Sequence, residues 1–286
     1  MVKYVALCVF ALTFVSFGYG NVVPSRADNQ LAFPSCGGYI FVDDEIVIDG
    51  PFNQDCILQF ETQEDRILAF SVIDGDMKDV LHLLNIHDGF GIDFPILKVE
   101  NQITHEVSQK NAPIVLYTTS SEAIVTFTKR AANSNMKLKI QKAVDCPLGI
   151  GDNTQCGRVV DDVSCYCAIF TTRNFYDQTM ICLDSKMKLV VFENRTEEEG
   201  VQATWPGTVG PAYYTSMTDS RRDGTWVWES TMTVLSAGDY TNWFPGRPSY
   251  VANNAEDCML YGGSYLQFWG DVPCANGYRA ICEAQP

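Results

Sequence analysis

The stretch from Trp243 to Cys282 constrains the chain more than any other. It reads Trp243, Gly246-Arg247-Pro248-Ser249, Glu256-Asp257-Cys258, Trp269-Gly270-Asp271, Cys274 and Ile281-Cys282-Glu283. Cys258 and Cys274 stand sixteen positions apart, with Gly, Tyr and Trp between them and acidic residues beside the first and between the two. That is the composition of a long irregular loop, pinned by a disulfide and able to offer oxygen ligands. Upstream, Asp223-Gly224 followed by Trp226-Val227-Trp228 reads as a turn and its strand.

The sequence has 286 residues, room for two ordinary domains. Its first twenty residues read as a signal peptide: Lys3 is the positive start, Val5 to Phe17 the apolar run, Gly18-Tyr19-Gly20 the small-residue cleavage site. The run is short for a membrane span, and no later stretch approaches that length. With no apolar tail after Cys282 there is no lipid-anchor signal either. The expectation is a secreted, extracellular protein with no membrane span. Of eleven cysteines, loss of Cys8 with the leader leaves an even ten, in keeping with an oxidising compartment. A formal charge of −15 argues against nucleic acid as a partner. It suits calcium, cationic proteins or mineral surfaces, though acidity often serves solubility alone.

Residues 21–35 are a polar lead-in. From Cys36 to Lys142 the pattern alternates: Leu68, Phe70 and Val72 against their neighbours, and Met136, Leu138 and Ile140 against Lys137 and Lys139. Asp49-Gly50-Pro51, Asp74-Gly75-Asp76 and Asp88-Gly89 mark turns between short strands, which points to an antiparallel β-sandwich over 36–142. All five tryptophans lie beyond the segment 143–151, which supports a separate second core over 146–286. There Phe175, Thr179 and Cys182 share one face of an expected helix. Thr196 with Glu199 reads as a capping box opening another, so Glu197-Glu198-Glu199 is a helix N-terminus and not a catalytic cluster.

Two resemblances sharpen this β-rich, two-domain picture. Cys36-Gly37-Gly38, Gly50-Pro51-Phe52, Cys56 and Ile86-His87-Asp88-Gly89 resemble the start and a turn signature of a CUB domain. That implies a Cys36–Cys56 disulfide as the sole staple. His82 and Lys129 stand where calcium-binding CUB domains place acids, so a calcium-mediated contact is not implied. From Cys146 onward the chain resembles the long form of the C-type lectin-like domain, an α+β fold that opens with a disulfide-tied hairpin. Tyr214-Thr215-Ser216-Met217 stands at that family's core strand. The resemblance implies Cys182–Cys282 and Cys258–Cys274. Cys146, Cys156, Cys165 and Cys167 allow three pairings, of which it favours Cys146–Cys165 with Cys156–Cys167.

The resemblance also implies a ligand site. Sugar-binding members hold calcium through a Glu-Pro-Asn-type triplet, a Glu before a cysteine, and an Asn-Asp pair. Here the triplet is Arg247-Pro248-Ser249, Glu256 and Asp271 survive, and Gly270 replaces the Asn. Two of five ligands remain with a guanidinium among them, so either Arg247 pairs with Glu256 or Asp271 in place of metal, or these are solvated loop charges. The candidate ligand residues are Arg247, Ser249, Glu256 and Asp271. Trp243, Trp269, Tyr261 and Tyr265 are candidate stacking faces, with family core positions arguing for burial of the two tryptophans. Asn194-Arg195-Thr196 is a glycosylation acceptor sequence, which would make the chain a glycoprotein.

No catalytic motif accompanies these features. The three histidines, His82, His87 and His105, lie in the first half, and neither a zinc-protease helix motif nor a nucleophile elbow occurs. The sequence therefore reads as a non-enzymatic recognition protein, of the kind used in surface and innate immune recognition, binding a glycan or extracellular protein. No cofactor is called for, and calcium would rest on the residual positions Glu256 and Asp271. The alternatives are an acidic structural or matrix protein, or calcium-dependent sugar binding through those residual ligands. The sequence leaves the oligomeric state open.

Overall fold

The computed structural model describes residues 30–31, 37–101, 113–249 and 255–286. The expected signal peptide, most of the lead-in, and Cys36 lie outside the described residues. Cys56 is disulfide-bonded.

The strands of the first half form two sheets. One runs in the order Gln30–Leu31, Glu45–Asp49, Lys137–Ala143, Ile67–Ile73, Leu116–Tyr117, the other Gly38–Phe41, Ile57–Glu61, Glu122–Phe127, Leu84–His87. Alternation decides what faces inward. Leu68, Phe70, Leu138 and Ile140 from one sheet and Leu58, Phe60, Ile86 and Val125 from the other share one core, closed by the edge-to-face contact of Phe60 with Phe70. Lys137 and Lys139 point outward, each 3.9 Å from a carboxylate across the ladder, Asp49 and Glu45.

The sheets are not wholly antiparallel, as the alternation had suggested. Gly38–Phe41 runs parallel to Ile57–Glu61, and Gln30–Leu31 parallel to Glu45–Asp49. Between Gly38–Phe41 and Ile57–Glu61 the chain visits the opposite sheet through Glu45–Asp49. Two reversals bring it back in its original direction, a crossover that leaves no trace in a two-residue period.

Ile67 and Ala69, on the other face of their strand, join Val115 and Ala143 in a small cluster that Val163 of the second half packs against. The junction is tied by polar contacts as well. Val144 N donates to Val163 O at 3.0 Å, and Tyr117 Oη to Asp162 O at 2.8 Å. The buried Arg158 donates to the carbonyls of Val144 and Ser164 and lies 4.3 Å over the Tyr117 ring.

The second half is α+β. Its sheet runs Thr154–Gly157, Cys165–Arg173, Tyr278–Ala284, Ala212–Thr218, Val227–Trp228, Thr233–Val234, with Cys258–Gly262 and Trp269–Val272 branching from Ala212–Thr218. The helix Phe175–Asp184 begins at Asn174, whose side chain caps Asp177 N, and buries Phe175, Gln178 and Cys182. Disulfides join Cys146–Cys165, Cys156–Cys167, Cys182–Cys282 and Cys258–Cys274.

The second helix, Arg195–Thr204, starts earlier than the Thr196–Glu199 box predicts. Asn194 is the cap: its Oδ1 accepts from Glu197 N at 3.0 Å, while Glu197 Oε2 reaches back to accept from Glu193 N at 2.9 Å. Asn caps as well as Ser or Thr, and here its reciprocal arm is the first glutamate of the run.

Candidate ligand-binding site

The site is built on the strand Trp269–Val272 and the loop that crosses it. Trp269 is wholly buried, with edge contacts to Trp228, Tyr240 and Trp243. Its backbone holds the loop by donating to Asn242 O at 2.8 Å and accepting from Phe244 N at 2.8 Å. Two residues on along the same strand, Asp271 is also fully buried. A buried carboxylate needs donors, and the loop supplies them. Arg247 Nη1 donates to Asp271 Oδ1 at 3.0 Å, and Ser249 N to Asp271 Oδ2 at 2.6 Å. The same Nη1 donates to Glu256 Oε2 at 2.7 Å.

Arg247, Ser249, Glu256 and Asp271 are thus brought together. Burial alone would lower the Arg247 guanidinium, but the Glu256 hydrogen bond and the Asp271 charge outweigh it and hold the group above its ordinary value. One cation and two carboxylates leave the group with a net negative charge. Asp271, 1% exposed at its side chain, is out of a ligand's reach, whereas Arg247 at 25% and Glu256 at 32% are not.

The ring of Tyr265 lies 5.2 Å beneath the guanidinium, and its hydroxyl donates to Asp271 O at 3.2 Å. Gly270 makes this possible, since a Cβ there would collide with the Tyr265 ring. The glycine that replaces an expected asparagine ligand is therefore the space in which Tyr265 lies. The other aromatic candidates divide. Tyr261 is wholly buried with its hydroxyl on Trp205 O, and Trp269 is core, so neither offers a stacking face. Trp243 is partly buried against Trp226 and Trp269.

Sequence reasoning missed the group that anchors the loop. Glu198 is 1% exposed. Its Oε1 accepts from Trp269 Nε1 at 2.9 Å, Asn242 Nδ2 at 3.1 Å and Gln202 Nε2 at 2.6 Å, and its Oε2 from Tyr240 Oη at 2.6 Å. Burial pushes its carboxyl up, while these four donors oppose the shift. The available signal was spacing: Glu198 lies one turn before the core residue Val201 on the helix face turned inward.

Asp219 was missed too. It is 6% exposed, its Oδ2 accepts from Gly224 N at 2.8 Å, and its carboxyl is raised by burial and then by the charges of Asp257 and Asp223. Still, no group of three or more His, Cys, Asp or Glu among the described residues is placed to hold a metal ion. At Arg247 the misfit with calcium is direct, because the guanidinium already occupies the acceptors that a divalent cation would need.

A family model for the lectin C-type domain matches residues 171–284, spanning the first helix, the loop and the last strand. Those residues are a C-type lectin domain. The C-type lectins lectoxin-Enh3 and lectoxin-Enh5 of Pseudoferania polylepis are each 31% identical to this chain over 65 residues, 23% of this chain and 39% of theirs. The chain thus matches about two fifths of the length of these curated relatives. Among solved structures, the carbohydrate-recognition domain of a mouse scavenger receptor C-type lectin is 25% identical, with 42% of this chain and 88% of that one covered and a TM-score of 0.35. The C-type lectin domain of murine dendritic cell inhibitory receptor 2, solved in complex with N-glycan, is 16% identical, with 48% and 98% covered and a TM-score of 0.37. A calcium-independent type II antifreeze protein is 17% identical, with 47% and 93% covered and a TM-score of 0.38. A C-type lectin domain implies carbohydrate or protein binding. No helix among the described residues is long and apolar enough to cross a membrane.

Proposed function

We propose that the chain is a secreted recognition protein whose C-type lectin domain binds a glycan or protein without calcium. The observation that carries this reading is the Arg247 guanidinium seated between Glu256 and Asp271. It supplies the positive charge that orders the loop, and it leaves Arg247 and Glu256 part-exposed as neighbouring donor and acceptor. Vicinal sugar hydroxyls or a polar protein surface need that pairing. Binding, not catalysis, is the role, and Asn194, exposed at its helix start, would carry a glycan. The first half serves as a CUB-like module presenting the lectin domain. Its two sheets around one core support that reading, as does the bonded Cys56.

Thermal unfolding of the mature protein in calcium and in EDTA, with a glycan array under both conditions, tests the proposal. Preferential binding to the native state raises stability with ligand excess. Equal melting temperatures and array binding that survives chelation are expected. A rise with calcium, or array binding lost in EDTA, would restore the calcium-dependent mechanism.

A further inference from the structure

The outer face of the four-stranded sheet in the first half is only partly covered. On the Leu84–His87 side the chain folds back so that His87 bridges Ile96, and both His87 and Ile124 are buried. On the other side Tyr39, Phe41 and Ile57 remain 56%, 45% and 46% exposed. In register, Phe41 lies beside Glu61, and Glu61 directly opposite Glu122. Like charges opposite one another across a ladder are destabilising. Among the described residues neither glutamate takes part in an ion pair. The outward positions of these four strands hold no lysine or arginine. The Tyr39 hydroxyl donates to Glu61 Oε2 at 2.7 Å. That bond is the largest cause of a tyrosine pKa pushed up to about 12, so the hydroxyl stays a donor and keeps the carboxylate beside the ring.

We propose that this face docks a cationic segment of a protein partner, with an arginine or lysine seated between Glu61 and Glu122 and its stem against Phe41 and Tyr39. Charge complementarity selects this occupant. A guest cation relieves the Glu61–Glu122 repulsion and gains the ring faces. A neutral glycan would gain the rings and leave the repulsion in place. The acidity of the whole chain, −15, steers such a partner inward.

The test uses the full chain and a fluorescent octapeptide of alternating Gly and Arg, with the Gly-Glu octapeptide as its opposite, read by anisotropy at physiological ionic strength. Glu61→Gln with Glu122→Gln, and separately Phe41→Ala, are expected to weaken Gly-Arg binding at least about fivefold. Asp79→Asn, an exposed acid on the short helix Met77–Val80, is expected to change it less than about twofold. Circular dichroism confirms that each variant is folded. Equal weakening by Asp79→Asn would reduce the effect to net charge and overturn the proposal. Undiminished binding by the double glutamine variant, no binding of the Gly-Arg peptide, or binding of a neutral oligosaccharide at Phe41 instead would also overturn it.

Discussion

Arg247 Nη1 lies 3.0 Å from Asp271 Oδ1, joining a loop cation to a carboxylate that is otherwise shut off from solvent. The proposed role of Arg247 is to stand in for a divalent cation, so removing that side chain should expose the acceptors it now holds. Arg247→Ala removes one donor from Asp271, leaving it the Ser249 N–H, and removes the Arg247 hydrogen bond from Glu256. Breaking a buried ion pair costs about 3–5 kcal/mol. Arg247 and Glu256 are part-exposed, so about 2 kcal/mol is the expected loss, read by urea unfolding. The same variant should gain stability from millimolar calcium where the parent does not. If Arg247→Ala leaves the urea midpoint unmoved, Arg247 does not hold the loop.

Glu198 ties Tyr240 and Asn242 of the loop to the Trp269 indole. Glu198→Ala strands these donors in a buried site, where each unsatisfied group costs about 1–3 kcal/mol. A loss of about 3 kcal/mol is expected, with faster hydrogen exchange at Asn242 and Trp269. Exchange unchanged at both amides would mean that the disulfide and the core hold the loop unaided.

Much of this was legible and some was not, for separable reasons. The tryptophan distribution marked a second core, and the lectin domain was legible through the resemblance carried by the motifs from Trp243 to Cys282. The Arg247–Glu256–Asp271 group was legible because a cation among surviving acids has few places to go. Glu198 was read as part of a helix N-terminus, where negative charge is favourable, which accounts for the run without a buried role. Its burial depends on Trp269 and Tyr240, residues 71 and 42 positions away. The parallel pairing of Gly38–Phe41 with Ile57–Glu61 was hidden for the same reason, being a consequence of sheet crossover and not of any period.

Gly270 looked like a lost ligand, and the structure gives it a positive role. Gly270→Ala places a methyl group in the Tyr265 ring. That ring supports Arg247 from beneath and its hydroxyl holds the Asp271 carbonyl, so the collision should loosen both. Overpacking of this kind costs about 1–3 kcal/mol. Pairing Gly270→Ala with Tyr265→Leu should restore part of the loss, since the ring that clashes is gone. No restoration in the double variant would place the damage in the backbone of the strand.

Glu283 contributes to the pH response. It is wholly buried on the last strand, with Lys188 Nζ 3.2 Å away. Burial pushes its carboxyl from an ordinary 4.5 up to about 8, opposed by Lys188 and reinforced by the charge of Glu197. The folded protein therefore keeps this proton up to about pH 8, while the unfolded chain releases it near 4.5. Across that window the native state binds more protons, so stability falls as pH rises and levels off above it, by an amount on the order of a few kcal/mol. Melting temperature measured from pH 5 to 9 should decline accordingly. Glu283→Gln, which carries no titrating proton, should flatten the decline and be the more stable form at pH 8. A parent profile that is flat or rising between pH 5 and 8 would mean that Lys188 keeps Glu283 ionised throughout.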